Sequence, residues 1–179
     1  MRRTKAMILC ALFAALAAVG AFLRIPVPLV PFTLQFLFTN LAGLLLGKKL
    51  GAVSVGVYVL LGLMGLPIFT GGGGIGYLVH PTFGYLIGFI LGAWVAGWFV
   101  QRRGGNRFST YLLAGFLNMG VVFLLGMVHY FLIASYYIHS PIGVGSLFLT
   151  FCLPFLPGDI ALSVLSAVLA RRLRPIIWK

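Results

Sequence analysis

A chain with one carboxylate has little acid–base chemistry open to it. Asp159, in the stretch LPFLPGDIALSV, is the single acidic residue among 179. Paired-acid hydrolysis and carboxylate metal cages both need a second acid, so neither is available. His80, His129 and His139 lack a tight metal-ligand spacing, and Cys10 and Cys152 belong to no C-x-x-C or Cys/His pattern. The two thiols sit far apart in apolar runs and read as buried structural cysteines. A Ser–His–Asp triad would have to recruit Asp159, and no G-x-S-x-G turn is present. The run Gly71–Gly74 is not followed by G-K-[ST], so it is not a phosphate loop. The chain has no signature of an enzyme, a resident metal or a cofactor, and it does not itself hydrolyse ATP. What remains for Asp159 is recognition: a carboxylate in an apolar run is costly, and such groups mark functional sites.

The elements that hold this residue are membrane helices. Hydrophobic residues make up 61% and charged residues 8% of the sequence, against about 25% charged in soluble domains. The apolar runs are continuous rather than alternating, which selects helices over a barrel. Six segments emerge, over approximately 6–23, 31–47, 50–66, 80–100, 108–134 and 147–170, forming a single domain over 1–179. The first begins with a basic stretch and ends in small residues, as a secretory signal would. No soluble domain follows it, so it reads as a retained span. The second and third segments are short and separated by GKKLG, which predicts a tight antiparallel hairpin.

The net charge of +12 is a topology signal rather than a nucleic-acid footprint. Twelve of the thirteen basic residues fall in four clusters: Arg2, Arg3 and Lys5; Lys48 and Lys49; Arg102, Arg103 and Arg107; Arg171, Arg172, Arg174 and Lys179. These occupy every second gap between apolar segments, so they share one side of the membrane. The positive-inside rule puts that side, and both termini, in the cytoplasm. Three connections then lie outside: RIPVPLVPFT, whose prolines favour an extended path, GLPIFTGGGGIGYLVHPT and YYIHSPIGVGS. Long Gly/Pro-shaped connections often serve as lids or binding loops. A solute site facing outward is therefore expected.

Small residues predict how the helices associate. Gly84, Gly88, Gly92 and Ala96 form a small-x-x-x-small ladder, the pattern that lets helix backbones approach in lipid; packing within the bundle accounts for it. The first segment carries Ala11, Ala14, Ala15, Ala18 and Ala21 at helical spacing, and a docking face for another membrane subunit competes with internal packing as its purpose. A coupled carrier would show several intramembrane ionisable groups and internal repeats, and a channel a ring of polar groups. The chain presents neither pattern, leaving a membrane binding protein with an outward pocket.

Three stretches resemble a known family: IPVPLVPFTLQ (25–35) with LAGLLLGKKLG (41–51), GLPIFTGGGGIGYLVHPTFGYLIGF (65–89), and PFLPGD (154–159). With the six-span layout, they look like the BioY family, the biotin-binding S components of energy-coupling factor transporters. The resemblance implies a substrate-binding subunit in the plasma membrane that works with a transmembrane coupling subunit and two cytoplasmic ATPases. It implies that an alanine face on the first helix, here Ala11–Ala15 and Ala14–Ala18, meets the coupling subunit. It also implies toppling in the membrane to release biotin inward. Asp159 would accept from the ureido N–H groups of biotin, because charge-assisted bonds in a dry pocket are strong. His80, Thr33, Gln35 and Tyr85 would supply further polar contacts. Phe69, Tyr77 and the glycine run, Gly72 and Gly73 included, would form a lid. Arg24, the only basic residue outside the four clusters, is a candidate for the ligand carboxylate; an interfacial anchor is the competing role. His129 and His139 read as interfacial or packed residues.

Two positions depart from the family pattern. A lysine commonly stands three residues after the PGD aspartate, where this chain has Leu162. The segment before GY is commonly rich in small or amide residues, where this chain has His80 and Phe83. These departures leave open a dethiobiotin-like compound or another small carboxylated vitamin as the ligand. A stand-alone permease for a small carboxylate and, more remotely, an intramembrane enzyme are the other classes.

Overall fold

A computed structural model describes residues 3–25, 32–104, 107–139 and 143–178. The helices are α1 (Arg3–Phe22), α2 (Gln35–Leu63), α3 (Phe83–Arg103), α4 (Phe108–Tyr136), α5 (Val144–Phe151) and α6 (Leu156–Ile177). A two-residue ribbon joins β1 (Arg24–Ile25) to β2 (Phe32–Thr33), pairing Arg24 with Thr33. A 3-10 turn covers Ile75–Val79. By length and composition α1, α3 and α4 can each cross a membrane, as can α2 when both its arms are counted together, and α5 with α6 is a fifth, bent span when the pair is counted as one.

α2 is two helical arms joined at a sharp break. Gly47 has φ 82°, a conformation that glycine adopts without a Cβ penalty. The chain folds back there: Gln35 Nε2 lies 2.8 Å from Tyr58 Oη, whereas a straight helix would separate these residues by roughly 34 Å. A Cβ on Gly51 would lie 2.8 Å from the Ala42 carbonyl, so the arms pack backbone to backbone. This is the hairpin that GKKLG predicts. Its arms, 35–46 and 48–63, are only about 18 and 24 Å long, and they supply two short rods of a six-rod bundle.

The expected last segment, 147–170, is two helices instead of one. α5 and α6 meet at 54° across residues 152–155. Pro154 removes an amide donor and Pro157 occupies the first turn of α6, so the backbone cannot carry one helix through PFLP.

The remaining packing follows from small residues. On α3, a Cβ at Gly88 would sit 2.8 Å from Val122 Cα of α4, and Cβ atoms at Gly84 and Gly92 would overlap His129 and Asn118. The Gly84–Gly88–Gly92 ladder is the α3–α4 seam. The neighbouring face of α3 meets α2: Cβ atoms on Gly43 and Gly97 would overlap Ala93 and the Gly47–Lys48 backbone. At the other end of α1, Gly20 lets α2 come to 2.9 Å of a Cβ position.

Close contacts bring the basic clusters to one end of the bundle. Trp178 Nε1 donates to Leu45 O at 2.8 Å, Cys10 Sγ lies 3.5 Å from Leu50 O, and Arg174 Nη1 donates to Tyr111 Oη at 3.4 Å. Arg102 and Arg103 lie over Trp98 and Phe99 at 5.4 and 5.2 Å. The ribbon, the 3-10 turn and the start of α6 occupy the opposite end. Pro26, Pro28 and Pro31, expected to hold an extended path, lie outside the described residues, as do Arg2, Lys179 and Ser140–Ile142 of the third long connection.

Candidate functional site

The end of the bundle opposite the basic clusters opens into a small cavity of ≈ 60 Å³. Its apolar walls are aromatic and aliphatic: Phe32, Phe36, Leu86, Phe89, Val122, Phe123 and Phe155. Polar groups enter from five elements: Thr33 of β2, Gln35 of α2, Tyr77 and Thr82 with Thr70 from the glycine loop, Tyr85 of α3, and Asp159 of α6. An apolar cleft with a few convergent polar groups is the usual form of a small-molecule site.

Asp159 reaches this cavity because PFLPG ends one helix and starts another. It lies in the first turn of α6, where the unsatisfied N–H groups and macrodipole favour a negative side chain. Its own N–H bonds to Phe155 O at 2.9 Å, and the residue is 8% exposed. Among the described residues, no basic side chain lines the cavity. A Cβ on Gly158 would lie 2.5 Å from Phe32 Cε2, so the glycine lets the ribbon close against α6 beside the carboxylate.

Two other polar groups have one half committed. Gln35 Nε2 donates to Tyr58 Oη at 2.8 Å, and Tyr58 in turn donates to Ile68 O at 3.1 Å. This chain ties the start of α2 to the glycine loop and fixes the Gln35 amide. Tyr85 Oη donates to Phe151 O at 3.0 Å, tethering the end of α5 to α3.

The glycine loop covers one side of the cavity. Phe69 and Gly72 exchange backbone bonds of 2.9 and 3.2 Å, closing a tight turn with Gly72 at φ 117°. A Cβ on Gly73 would overlap the Leu66 carbonyl, so only glycine permits this crossing over the end of α2. Phe69 is a buried rivet rather than a cavity wall: it meets Tyr58 edge-on at 5.5 Å and Tyr77 at 4.6 Å. Tyr77 is the aromatic residue of the loop that reaches the cavity, held between Thr70 Oγ1 at 3.1 Å and Thr82 Oγ1 at 2.8 Å.

His80 stands one layer back. Its ring stacks on Tyr77 at 4.5 Å, and Nδ1 lies 2.8 Å from Thr82 Oγ1. The Thr82 backbone N–H donates to the same Nδ1 at 3.3 Å, which places the ring proton on Nε2. Burial holds the imidazole below its ordinary pKa and so favours the neutral ring. The ring faces an outer depression shared with Gly71, Gly73, Tyr77 and Tyr137. Arg24 is also at the rim: Nη1 donates to the Thr70 carbonyl, and Arg24 does not line the cavity. His129 packs behind the site, with Nε2 3.3 Å from His80 O.

Thr33, Gln35, Tyr77, Tyr85 and Asp159 are thus brought together at the cavity. His80, Phe69, Gly72, Gly73 and Arg24 support it from outside. Sequence reasoning missed Thr70, Thr82 and the α4 wall formed by Val122 and Phe123. Thr70 and Thr82 flank the glycine loop and carried a readable signal. On α4 the buried Asn118, one turn before Val122, is the polar mark of the inner face, and it was not used. On α1, Ala11 and Ala15 are exposed on the outer face, while Ala14 is buried in the core and Ala18 is half-buried.

Comparison with known proteins agrees with this architecture. The chain matches the family model described as "BioY family" over residues 1–179. It is 41% identical over 170 residues to the probable biotin transporter BioY of Lysinibacillus sphaericus, covering 95% of this chain and 87% of that one. It is also 41% identical over 167 residues to the biotin transporter BioY of Thermotoga maritima, with 91% and 92% covered. Among solved structures, it superposes with a TM-score of 0.84 on the S component for biotin from an ECF-type ABC transporter. That match has 29% identity and covers 98% of this chain and 95% of the other. A six-rod membrane bundle with a lone carboxyl group lining a glycine-covered cavity, matched over its whole length, belongs to the BioY family.

Proposed function

We propose that this chain is a membrane-embedded biotin-binding subunit that takes the vitamin from outside the cell and serves as the S component of an ATP-driven uptake system. The observation that carries this is the cavity itself. It is walled by seven apolar side chains, and Asp159 and Gln35 present acceptors at the end away from the basic clusters. Biotin's thioether ring suits the aromatic walls. Its two ureido N–H groups suit the Asp159 carboxylate and the Gln35 Oε1, whose amide nitrogen is already engaged by Tyr58. The Tyr85 hydroxyl, its proton given to Phe151 O, is a further acceptor.

Among the described residues the valerate carboxylate finds no cation deep in the site, where Leu162 stands buried one turn below Asp159. It points to the mouth, where Thr70 and Tyr77 offer hydroxyls and the Arg24 guanidinium stands behind Thr70. Loop residues 69–74 and Tyr77 close over the bound ligand. The basic end faces the cytoplasm with both termini, following the positive-inside rule. On α1, Ala11 and Ala15 offer a smooth face to a transmembrane coupling subunit, whose two ATPases drive the toppling that releases biotin inward. The test is calorimetry of the purified protein with biotin and dethiobiotin, together with uptake by cells that do or do not co-express the coupling subunit and ATPases. Binding of biotin and uptake that depends on the ATPases are expected. Uptake by this chain alone under a proton gradient would refute the S-component assignment.

A further inference from the structure

Beneath the cavity lies a polar cluster that substrate contact does not use. Asn40, Asn118, Ser163 and Ser166 are all fully buried, at 0% exposure. They come from the three helices that form the cavity floor, and each helix places one of them a single turn further toward the basic end. On α2, Phe36 lines the cavity and Asn40 follows four residues later. On α6, Asp159 lines it and Ser163 follows four later. α4 runs the opposite way, so Asn118 precedes the lining residue Val122 by four. The three steps descend to one level.

At that level the hydrogen bonds run in one direction. Asn118 Nδ2 donates to Asn40 Oδ1 at 3.0 Å, and Asn40 Nδ2 donates to Ser166 Oγ at 2.7 Å. Ser166 Oγ donates to Ser163 O at 3.0 Å, on the turn of α6 directly below Asp159. Two fully enclosed atoms, Asn118 Oδ1 and Ser163 Oγ, have no partner among the described residues. Gly92 of α3 abuts Asn118 Oδ1, and a side chain there would overlap it. A buried amide chain with unpaired ends is a poor device for stability alone, since apolar side chains of similar volume would pack there without desolvation cost. It does have directional geometry, which apolar packing lacks.

We infer that Asn118 is a positioning residue for the binding site: through Asn40 and Ser166 it sets the spacing of α2, α4 and α6, and thereby the distance from Asp159 to the opposite wall. The inference rests on the proposed biotin-binding role of this cavity. Its signature is selectivity rather than affinity alone. Wild-type protein distinguishes biotin from a biotin analogue methylated on both ureido nitrogens, because the analogue has no N–H for Asp159. A misplaced α6 blunts that distinction, whereas a loss of folded protein weakens both ligands equally.

The experiment measures dissociation constants for biotin and the methylated analogue by calorimetry in nanodiscs, for wild type, Asn118→Leu and Ser166→Ala. Ser166→Ala cuts the chain at its α6 end with little change in volume, and carries the test where the leucine variant does not fold. The expected result is a ratio of the two constants that narrows at least fivefold in each folded variant. A ratio equal to wild type, with both ligands weakened alike or unchanged, overturns the positioning role and leaves the transport assignment standing. Wild-type protein that binds neither ligand overturns both.

Discussion

Asp159→Asn separates recognition from folding. The carboxyl group is 8% exposed in a cavity that no described basic side chain enters. In the proposed biotin complex it would accept from ureido N–H groups in place of water. The asparagine keeps one acceptor oxygen in the same volume and turns the other into an N–H₂ that opposes a ligand donor. A hydrogen bond to a charged group contributes about 1.5–3 kcal/mol, so its loss weakens binding by about 10- to 150-fold. The unliganded fold should not suffer, because a carboxylate with no cationic partner is taken out of a desolvated place. Calorimetry of the purified variant against biotin gives the first quantity, and thermal unfolding without ligand gives the second. An affinity within threefold of wild type would refute the proposed acceptor role. A weakened affinity with an equally lowered melting temperature would refute the claim that the residue serves the ligand and not the fold.

Other expectations follow from single positions. Gly47→Ala places a side chain at φ 82° and ψ 178°, at a cost of about 1–3 kcal/mol, and thermal unfolding should show a melting temperature lower by about 2–12 °C. Gly92→Ala drives a methyl group into Asn118 Oδ1 on the α3–α4 seam, and the same measurement should show destabilisation of about 1–3 kcal/mol. His80 is held neutral with its folded pKa below the unfolded value. Its contribution to stability is therefore complete above about pH 6.5 and is lost as pH falls below that. His80→Gln should flatten the fall in melting temperature between pH 7 and 5, and an unchanged pH profile would refute this. Ala15→Trp roughens the exposed face of α1; co-purification with the coupling subunit should drop severalfold, while retained biotin binding by the isolated chain separates lost docking from lost fold.

Much of the architecture was legible in residue order. The apolar runs and the basic clusters mark helices, and GKKLG marks a reversal because glycine can take positive φ where the arms must turn. The break in the last segment was legible as well, since Pro154 and Pro157 cannot continue a helix, but the length of the apolar run concealed it. Within the site, Asp159 and Arg24 could be singled out because charges are conspicuous against an apolar background, whereas Gln35, Thr33, Tyr77, Tyr85 and His80 came with the family resemblance. Arg24 sits at the rim, where Nη1 donates to the Thr70 carbonyl, and His80 sits in the backing layer, where Thr82 engages Nδ1.

What the sequence determines by itself is the solvent the protein lives in, the number of rods and the end at which the charges gather. These depend on composition and on local backbone chemistry, which act over one segment at a time. Which face of each rod looks inward is a different matter. On α4, Asn118 marks an inner face without saying what lies against it, and contact with α3 decides that Val122 and Phe123 wall the cavity. The same contact decides that Asn118 turns to meet Asn40, 78 residues away. Likewise, the Ala14 face of α1 is consumed by the core while Ala11 and Ala15 remain outside. Helical spacing alone treats these alanines as equivalent, and close packing between rods is what tells them apart.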